Sequence, residues 1–425
     1  MTHRGRRRAA VHESRVAGRL RRTWLVIAGS AALAATAPSG VAQTSPAIPP
    51  ADSSAPNTHA SASATDSLLP TGLELGDVLY LPGLFGLRMP SYDRSDGVSV
   101  RFGPRLALPD DRVLIDALVT YRSNLGRFDP SLQGSVTVSH HLTLHALAER
   151  ATLSNDDWNA ADFTNSIGAL VGGADGRNYF RADRGEATLE WHAERSDEML
   201  GATAYGGVRD EFSQSIGPDS GSVHSVWSFF GRGDRGGALR PNPSVASGHI
   251  ASGIAGLTGH WTSPEGVYAA AKIGVEVPWT SPDGAPFAQI TGDASLAFRG
   301  FFDHAFTLFA HVLATDGATA PPQRFSYVGG SYTIPTMALL SQGGGQLLWL
   351  ESMYVIPVHA LTLPYFGAPA VAVRYVIGGA GGHSLPDLTQ NVGLRVQLFV
   401  LRVDGLIDPL THHTSIALSG VAPHF

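Results

Sequence analysis

Cysteine is absent from all 425 residues, which removes disulfides, thiolate metal sites, cysteine nucleophiles and a lipidated N-terminal cysteine together. Lysine occurs once, as Lys272, and charged residues make up only 16% of the chain, against about 25% in an ordinary soluble domain. After residue 42 no uninterrupted apolar run reaches the roughly 18 residues that a transmembrane helix needs. What is abundant is glycine, 49 of 425, beside an unexceptional hydrophobic fraction of 43%. Too little charge for a large soluble surface, together with no helical span, leaves few classes open.

The formal net charge of -6 conceals an asymmetry, because eight arginines and only Glu13 lie in the first 22 residues. Without that segment, 22 basic residues face 35 acidic ones, a net of about -13. An acidic chain with one lysine argues against a nucleic-acid partner.

Residues 1–22 form an arginine-rich region, Trp24 to Ala35 an apolar stretch, and small residues lead to Gly40-Val41-Ala42. This is the layout of a secretory signal peptide over residues 1–42. A membrane anchor would need a longer span, and Arg21-Arg22-Thr23-Trp24-Leu25 is only a loose match to a twin-arginine export signal. Residues 43–66 are Ser, Ala, Pro and Thr with almost no large apolar residue, so they read as a disordered tether. Residues 67–425 form the remaining unit.

There the pattern alternates with period two. Val98, Val100 and Phe102 oppose Ser99 and Arg101; Val113, Ile115, Ala117, Val119 and Tyr121 oppose Asp116, Thr120 and Arg122. Ala187, Leu189, Trp191 and Ala193 oppose Thr188, Glu190 and His192, and Val392, Leu394, Val396 and Leu398 oppose Arg395 and Gln397. These are strands with one apolar face and one carrying full charges. A soluble sandwich buries the apolar face, whereas a membrane barrel turns it to lipid. The barrel is favoured by spacers of unequal length, such as Ser215 to Ser222 and Gly231 to Ser247, and by aromatics near strand ends: Tyr121, Trp191, Trp279, Trp349 and Tyr375. The terminal Phe425 is where such barrels place an aromatic read by their assembly machinery. The expected fold is therefore all-β, a transmembrane antiparallel β-barrel of the bacterial outer membrane. Its length suits sixteen strands of about 22 residues each with their connections, and twelve or fourteen with longer loops also fit.

Chemistry-bearing motifs are few. There is no Gly-x-Ser-x-Gly elbow, His-Glu-x-x-His helix, phosphate loop or dinucleotide fingerprint. His192-Ala193-Glu194 lacks the cysteine pair of a zinc deaminase. His141, Thr143, His145 and Glu149 share a strand face but read as a solvated lumen row rather than a metal site. Asn155-Asp156-Asp157-Trp158-Asn159 and Asp162 lack the spacing and central glycine of a calcium loop, and read as an acidic outer loop. No cofactor is expected. A hydrolase assembled from neighbouring strands is a third functional reading, after transport and passive conduction.

Pro321-Pro322-Gln323-Arg324-Phe325-Ser326-Tyr327-Val328-Gly329-Gly330 resembles the start of the loop that folds into the lumen in the bacterial surface-antigen superfamily, which holds outer-membrane assembly factors and two-partner secretion transporters. Downstream, Leu347 to Val358, Ala368 to Gly379, Asn391 to Arg395, and Leu401-Arg402-Val403-Asp404 leading to Asp408-Pro409-Leu410 follow in matching order; upstream, Pro90 to Gly97 and Arg240-Pro241-Asn242-Pro243 match more weakly. The resemblance implies protein or lipid insertion or translocation, with outer-membrane lipids, the barrel assembly machinery, and a client polypeptide or periplasmic partner as its company. It implies a lumen-loop motif at Arg324, Gly329, Gly330 and Pro335, with Arg395, Arg402 and Asp404 on the lumen face. Two departures stand out. The loop tip of the family carries Arg-Gly-aromatic, and Pro335 sits at that arginine position, while the matching wall positions fall on the apolar Met353 and Ile377. Loss of both sides is what dismantling an ion pair requires. The tether is also too short to hold the polypeptide-transport-associated domains that family members use to capture clients, so either a partner supplies capture or the barrel does something else; a diffusion channel is the main rival, since a wide barrel leaves an aqueous channel unless plugged.

Overall fold

A computed structural model describes residues 73–74, 79–82, 85–108, 112–194, 199–216, 240–362, 368–398 and 401–420. The expected signal peptide, the tether and Phe425 lie outside them. The strands are β1 (Leu73–Glu74), β2 (Leu79–Leu81), β3 (Ser91–Asp93), β4 (Gly97–Phe102), β5 (Arg105–Ala107), β6 (Val113–Arg122), β7 (Arg127–Ser139), β8 (Leu142–Leu153), β9 (Phe180–Glu194), β10 (Leu200–Gln214) and β11 (Gly248–Thr262). They continue with β12 (Tyr268–Thr280), β13 (Phe287–Arg299), β14 (Ala305–Gly317), β15 (Ser326–Val328), β16 (Gln342–Gly344), β17 (Gln346–Pro357), β18 (Ala370–Gly381), β19 (Thr389–Leu398), β20 (Leu401–Ile407) and β21 (Thr414–Gly420). The helix α1 is Asp162–Ile167.

All except β15 and β16 belong to one 19-stranded antiparallel sheet. The short pieces combine: β2 and β3 both run against the β4 and β5 stretch, which in turn pairs along β6. Counted as staves, β2 with β3, β4 with β5, β6 to β14 and β17 to β21 make the sixteen that the length suggests. Each pairs with its successor, as in Ile273 opposite Gly292 and Lys272 opposite Asp293.

Parity decides which solvent each face meets. On β12, Ile273, Val277 and Trp279 point outward, 41%, 51% and 63% exposed, while Glu276 two strand steps from Lys272 is buried on the other face. The same holds on β9, where Leu189 and Trp191 are exposed and Glu186 and Thr188 are buried. Charges inside and aliphatics outside is the polarity of a barrel in lipid, the reverse of a soluble one. Among the proposed girdle aromatics, Tyr121, Trp191 and Trp279 are exposed near strand ends. Trp349 is a correction: it shares parity with Leu347 and Glu351, both buried, and packs inside the barrel.

Connections alternate in length. At one end lie the long excursions 154–179 and 318–345; at the other lie short turns such as 140–141, 263–267 and 300–304. Strand β2 begins, and β21 finishes, at the short-turn end. At the junction of first and last staves the free edge of β2 is taken by β1, with Leu73 opposite Leu81 and Glu74 opposite Tyr80. Among the described residues no ladder joins β21 to β2 or β3. On β21 Ile416 is 85% exposed, against 37% for Val403 on the fully flanked β20.

Candidate functional site: the loop-filled lumen

Residues 318–345 leave β14 and fold inward instead of crossing the mouth. The β15–β16 hairpin, with Ser326 opposite Gly344, forms the stem, and Gly329 and Gly330 begin the tip. Both glycines have positive φ, 123° and 85°, and a Cβ on Gly329 would fall 2.2 Å from the Ala338 carbonyl oxygen. Only glycine allows so tight a reversal. The backbone N–H of Gly329 donates to Thr333 Oγ1 at 2.7 Å, closing the turn.

The tip is apolar and meets an apolar wall. Val328 and Ile334, both fully buried, join Leu313, Leu347, Val376, Ala380 and Trp158 in the main hydrophobic cluster of the described residues. Polar ties set the depth of insertion: Trp349 Nε1 donates to the Thr333 carbonyl at 3.3 Å, the Thr336 N–H donates to Asn391 Oδ1 at 3.0 Å, and Asn391 Nδ2 donates to Thr336 Oγ1 at 2.8 Å. Pro335 lies between these two ties.

The loop's cation is Arg324, at its base. Its Nη1 donates to Glu211 Oε1 on β10 at 2.7 Å, while Nε and Nη2 grip both oxygens of Glu276 on β12 at 2.9 and 3.1 Å. Each carboxylate is further satisfied, Glu211 by Ser213 Oγ at 2.7 Å and Glu276 by Ser252 Oγ at 2.8 Å. Gln289 on β13 donates to the Arg324 carbonyl at 3.0 Å. A fork on two buried carboxylates fixes direction as well as charge. With Pro335 at the tip the loop still has an ionic anchor, because Arg324, eleven residues earlier, pairs with Glu211 and Glu276. Of the two wall positions expected from the resemblance, both apolar, Met353 faces the lumen with Sδ 2.9 Å from Arg395 Nη1. Ile377 has the opposite parity from the buried Val376. The nearby carboxylate, Glu351, is held by Arg374 at 2.9 Å.

Two outer loops clasp the inserted one. Asp156 accepts the N–H groups of Asn178 at 2.9 Å and Tyr327 at 2.8 Å and the Ser326 hydroxyl at 3.2 Å; burial nevertheless pushes its carboxyl up to about 7. Trp158 donates to Ser326 Oγ at 2.7 Å and stacks on His311 of β14, centroids 4.0 Å apart; His311 Nδ1 is 2.7 Å from Asp293 Oδ1. Gln323 exchanges two hydrogen bonds with the Ala246 backbone, at 2.8 and 3.0 Å. Arg94, in the turn after β3, reaches the Arg240 carbonyl at 3.0 Å and bonds Arg177, Asn178 and Asn242 as well, so the outer end of the first hairpin is held by the same loops. The segment read as an acidic outer loop is thus a clasp on the inserted loop.

Of the other candidates, Arg395 grips Asp404 at 2.6 and 3.2 Å on the lumen wall, beside Arg402 on β20. His145 meets Glu190 at 3.1 Å and Glu149 is held by Arg184 at 2.5 Å, a row of cross-strand pairs. No group of three metal-ligating side chains occurs among the described residues. Between the inserted loop and the β4–β14 wall remains a cavity of about 480 Å³ lined by charges of both signs, including Arg105, Asp116, Arg209, Lys272 and Asp293. Sequence reasoning named Arg324 but not Glu211, Glu276 or His311.

No family model matches the sequence, and no curated protein matches it. Among solved structures the chain is similar to CdiB from Acinetobacter baumannii, at 11% identity and TM-score 0.41, covering 78% of this chain and 58% of that one. It is similar to BamA from Haemophilus ducreyi lacking POTRA domains 1–3, at 9% identity and TM-score 0.48, covering 78% and 69%. It is also similar to CdiB from Escherichia coli, at 10% identity and TM-score 0.43, covering 77% and 60%. The chain thus spans about three fifths of the length of both CdiB structures.

Proposed function

We propose that this chain is an outer-membrane β-barrel that inserts or translocates protein or lipid through the junction between its first and last staves. The observation that carries the reading is the pairing of β2 with β1 on the edge where a closed barrel would place β21. This leaves β21 with no ladder on its far edge among the described residues, and a strand edge without a partner is a template for another chain. In lipid, backbone groups left without a partner are costly, so such an edge is retained where it serves a purpose. The inserted loop supports the same reading, since a lumen filled by Val328, Ile334 and the Arg324 ion pairs is built for closure rather than for free diffusion. The short-turn end, where β2 begins and β21 finishes, is the periplasmic side on the usual pattern of short inner turns and long outer loops.

Depleting the protein in its host and quantifying outer-membrane barrels and lipids by mass spectrometry tests the proposal. Selective loss of client barrels, or altered lipid composition of the outer leaflet, is expected; unchanged levels of both would sink it. The rival reading, a diffusion channel, draws on the residual cavity of about 480 Å³ and predicts steady conductance of the unmodified protein in planar bilayers.

A further inference from the structure

On the lumen wall next to the junction, three guanidinium groups lie near two carboxylates. Arg374 on β18 is held by Glu351, and Arg395 on β19 is held by Asp404. Arg374 Nη1 stands 3.6 Å from Asp404, beyond a hydrogen bond. Arg402 on β20 makes no ion pair with the described residues, and its Nε is buried without a hydrogen-bond partner, as is Arg374 Nη1. The cluster carries one positive charge more than its acids neutralise. Buried donors without acceptors call for an acceptor from outside.

Position narrows the chemistry. Arg402 is the second residue of β20, at the end of that strand nearest β19's last residue, and it lies opposite Ser419 of the edge strand β21. It is one strand in from the edge strand, at the short-turn end of the barrel. Two guanidinium donors without acceptors, Arg402 Nε and Arg374 Nη1, suit a tetrahedral oxyanion. We infer that the Arg402 cluster binds a phosphate group, presented by a phospholipid that enters at the edge of β21. The inference rests on the proposed junction but not on client handling, so either can fail while the other stands.

The test is native mass spectrometry of the full-length protein titrated with dioleoyl phosphatidylglycerol, with inorganic phosphate as a competitor. One lipid is expected to bind, and Arg402→Gln to weaken it by about tenfold or more, the worth of a hydrogen bond to a charged group. Arg402→Lys, which keeps the charge but not the fork, is expected to fall between. Arg127→Gln, on the exposed end of β7, should bind as the unmodified chain does and shows that surface charge alone is not responsible. Unaltered heat-modified mobility of each variant on gels certifies folding. Equal lipid affinity of the unmodified chain and Arg402→Gln overturns the site. Displacement of the lipid by equimolar inorganic phosphate assigns the site to the free ion and overturns the lipid.

Discussion

Arg324→Met is expected to destabilise the folded barrel by about 3–5 kcal/mol, the cost of stranding buried charges, and to turn a quiet protein into a conducting one. The substitution removes the cation from Glu211, 2% exposed, and from Glu276, 9% exposed, while roughly preserving volume. The other cation nearby, Arg209, reaches Glu276 only at 4.0 Å. The base of the inserted loop would then be driven from the wall by the groups that now hold it. Urea unfolding in detergent micelles measures the first effect, and single-channel recording in planar bilayers measures the second. Adding Glu211→Gln and Glu276→Gln to Arg324→Met should recover most of the stability, because an absent network costs less than a broken one. If the single variant unfolds like the unmodified protein and stays silent in bilayers, the ionic anchor is not what closes the lumen.

Trp158→Ala is expected to cost a similar amount, about 3–5 kcal/mol, through the cavity left by a large buried side chain. Trp158 is where the clasp, the inserted loop and the barrel wall meet. It stacks on His311 with planes 10° apart, lies 5.3 Å from the Trp349 ring and donates to Ser326 Oγ. Trp158→Phe keeps most of the ring and loses the hydrogen bond, so a smaller cost of about 1 kcal/mol is expected. The ratio separates packing from hydrogen bonding in the same unfolding measurement. Near-equal losses for the two variants would show that the indole N–H, and not the stack, fixes the clasp.

Strand alternation was legible because each face meets one solvent: Asp116 and Thr120 inside, Val119 and Tyr121 toward lipid, follow from the period alone. Trp349 was misplaced because closeness to a strand end was weighed ahead of parity with Glu351, and parity decides the face. The inserted loop was visible through its glycine pair, since positive φ and a 2.2 Å approach leave a mark in residue type. The partners of Arg324 were not visible. They lie 113 and 48 residues away, and alternating strands offer many inward carboxylates, among which only register selects. Asp156 looked like solvated outer-loop charge because its neighbours are polar; the tryptophan two positions on, unusual in an acidic loop, was the signal that the segment turns inward. The Arg402 excess could not be seen before Glu351, Arg374, Arg395 and Asp404 were brought onto one wall.

The central claim is that the first and last staves are not sealed to one another in the working protein. The most direct measurement places a photoreactive amino acid at Ile416, the 85% exposed outward position of β21, and crosslinks living cells. Covalent adducts to other outer-membrane polypeptides or to lipid are predicted. Adducts confined to residues 79–93 of the same chain would show a closed barrel and contradict the account.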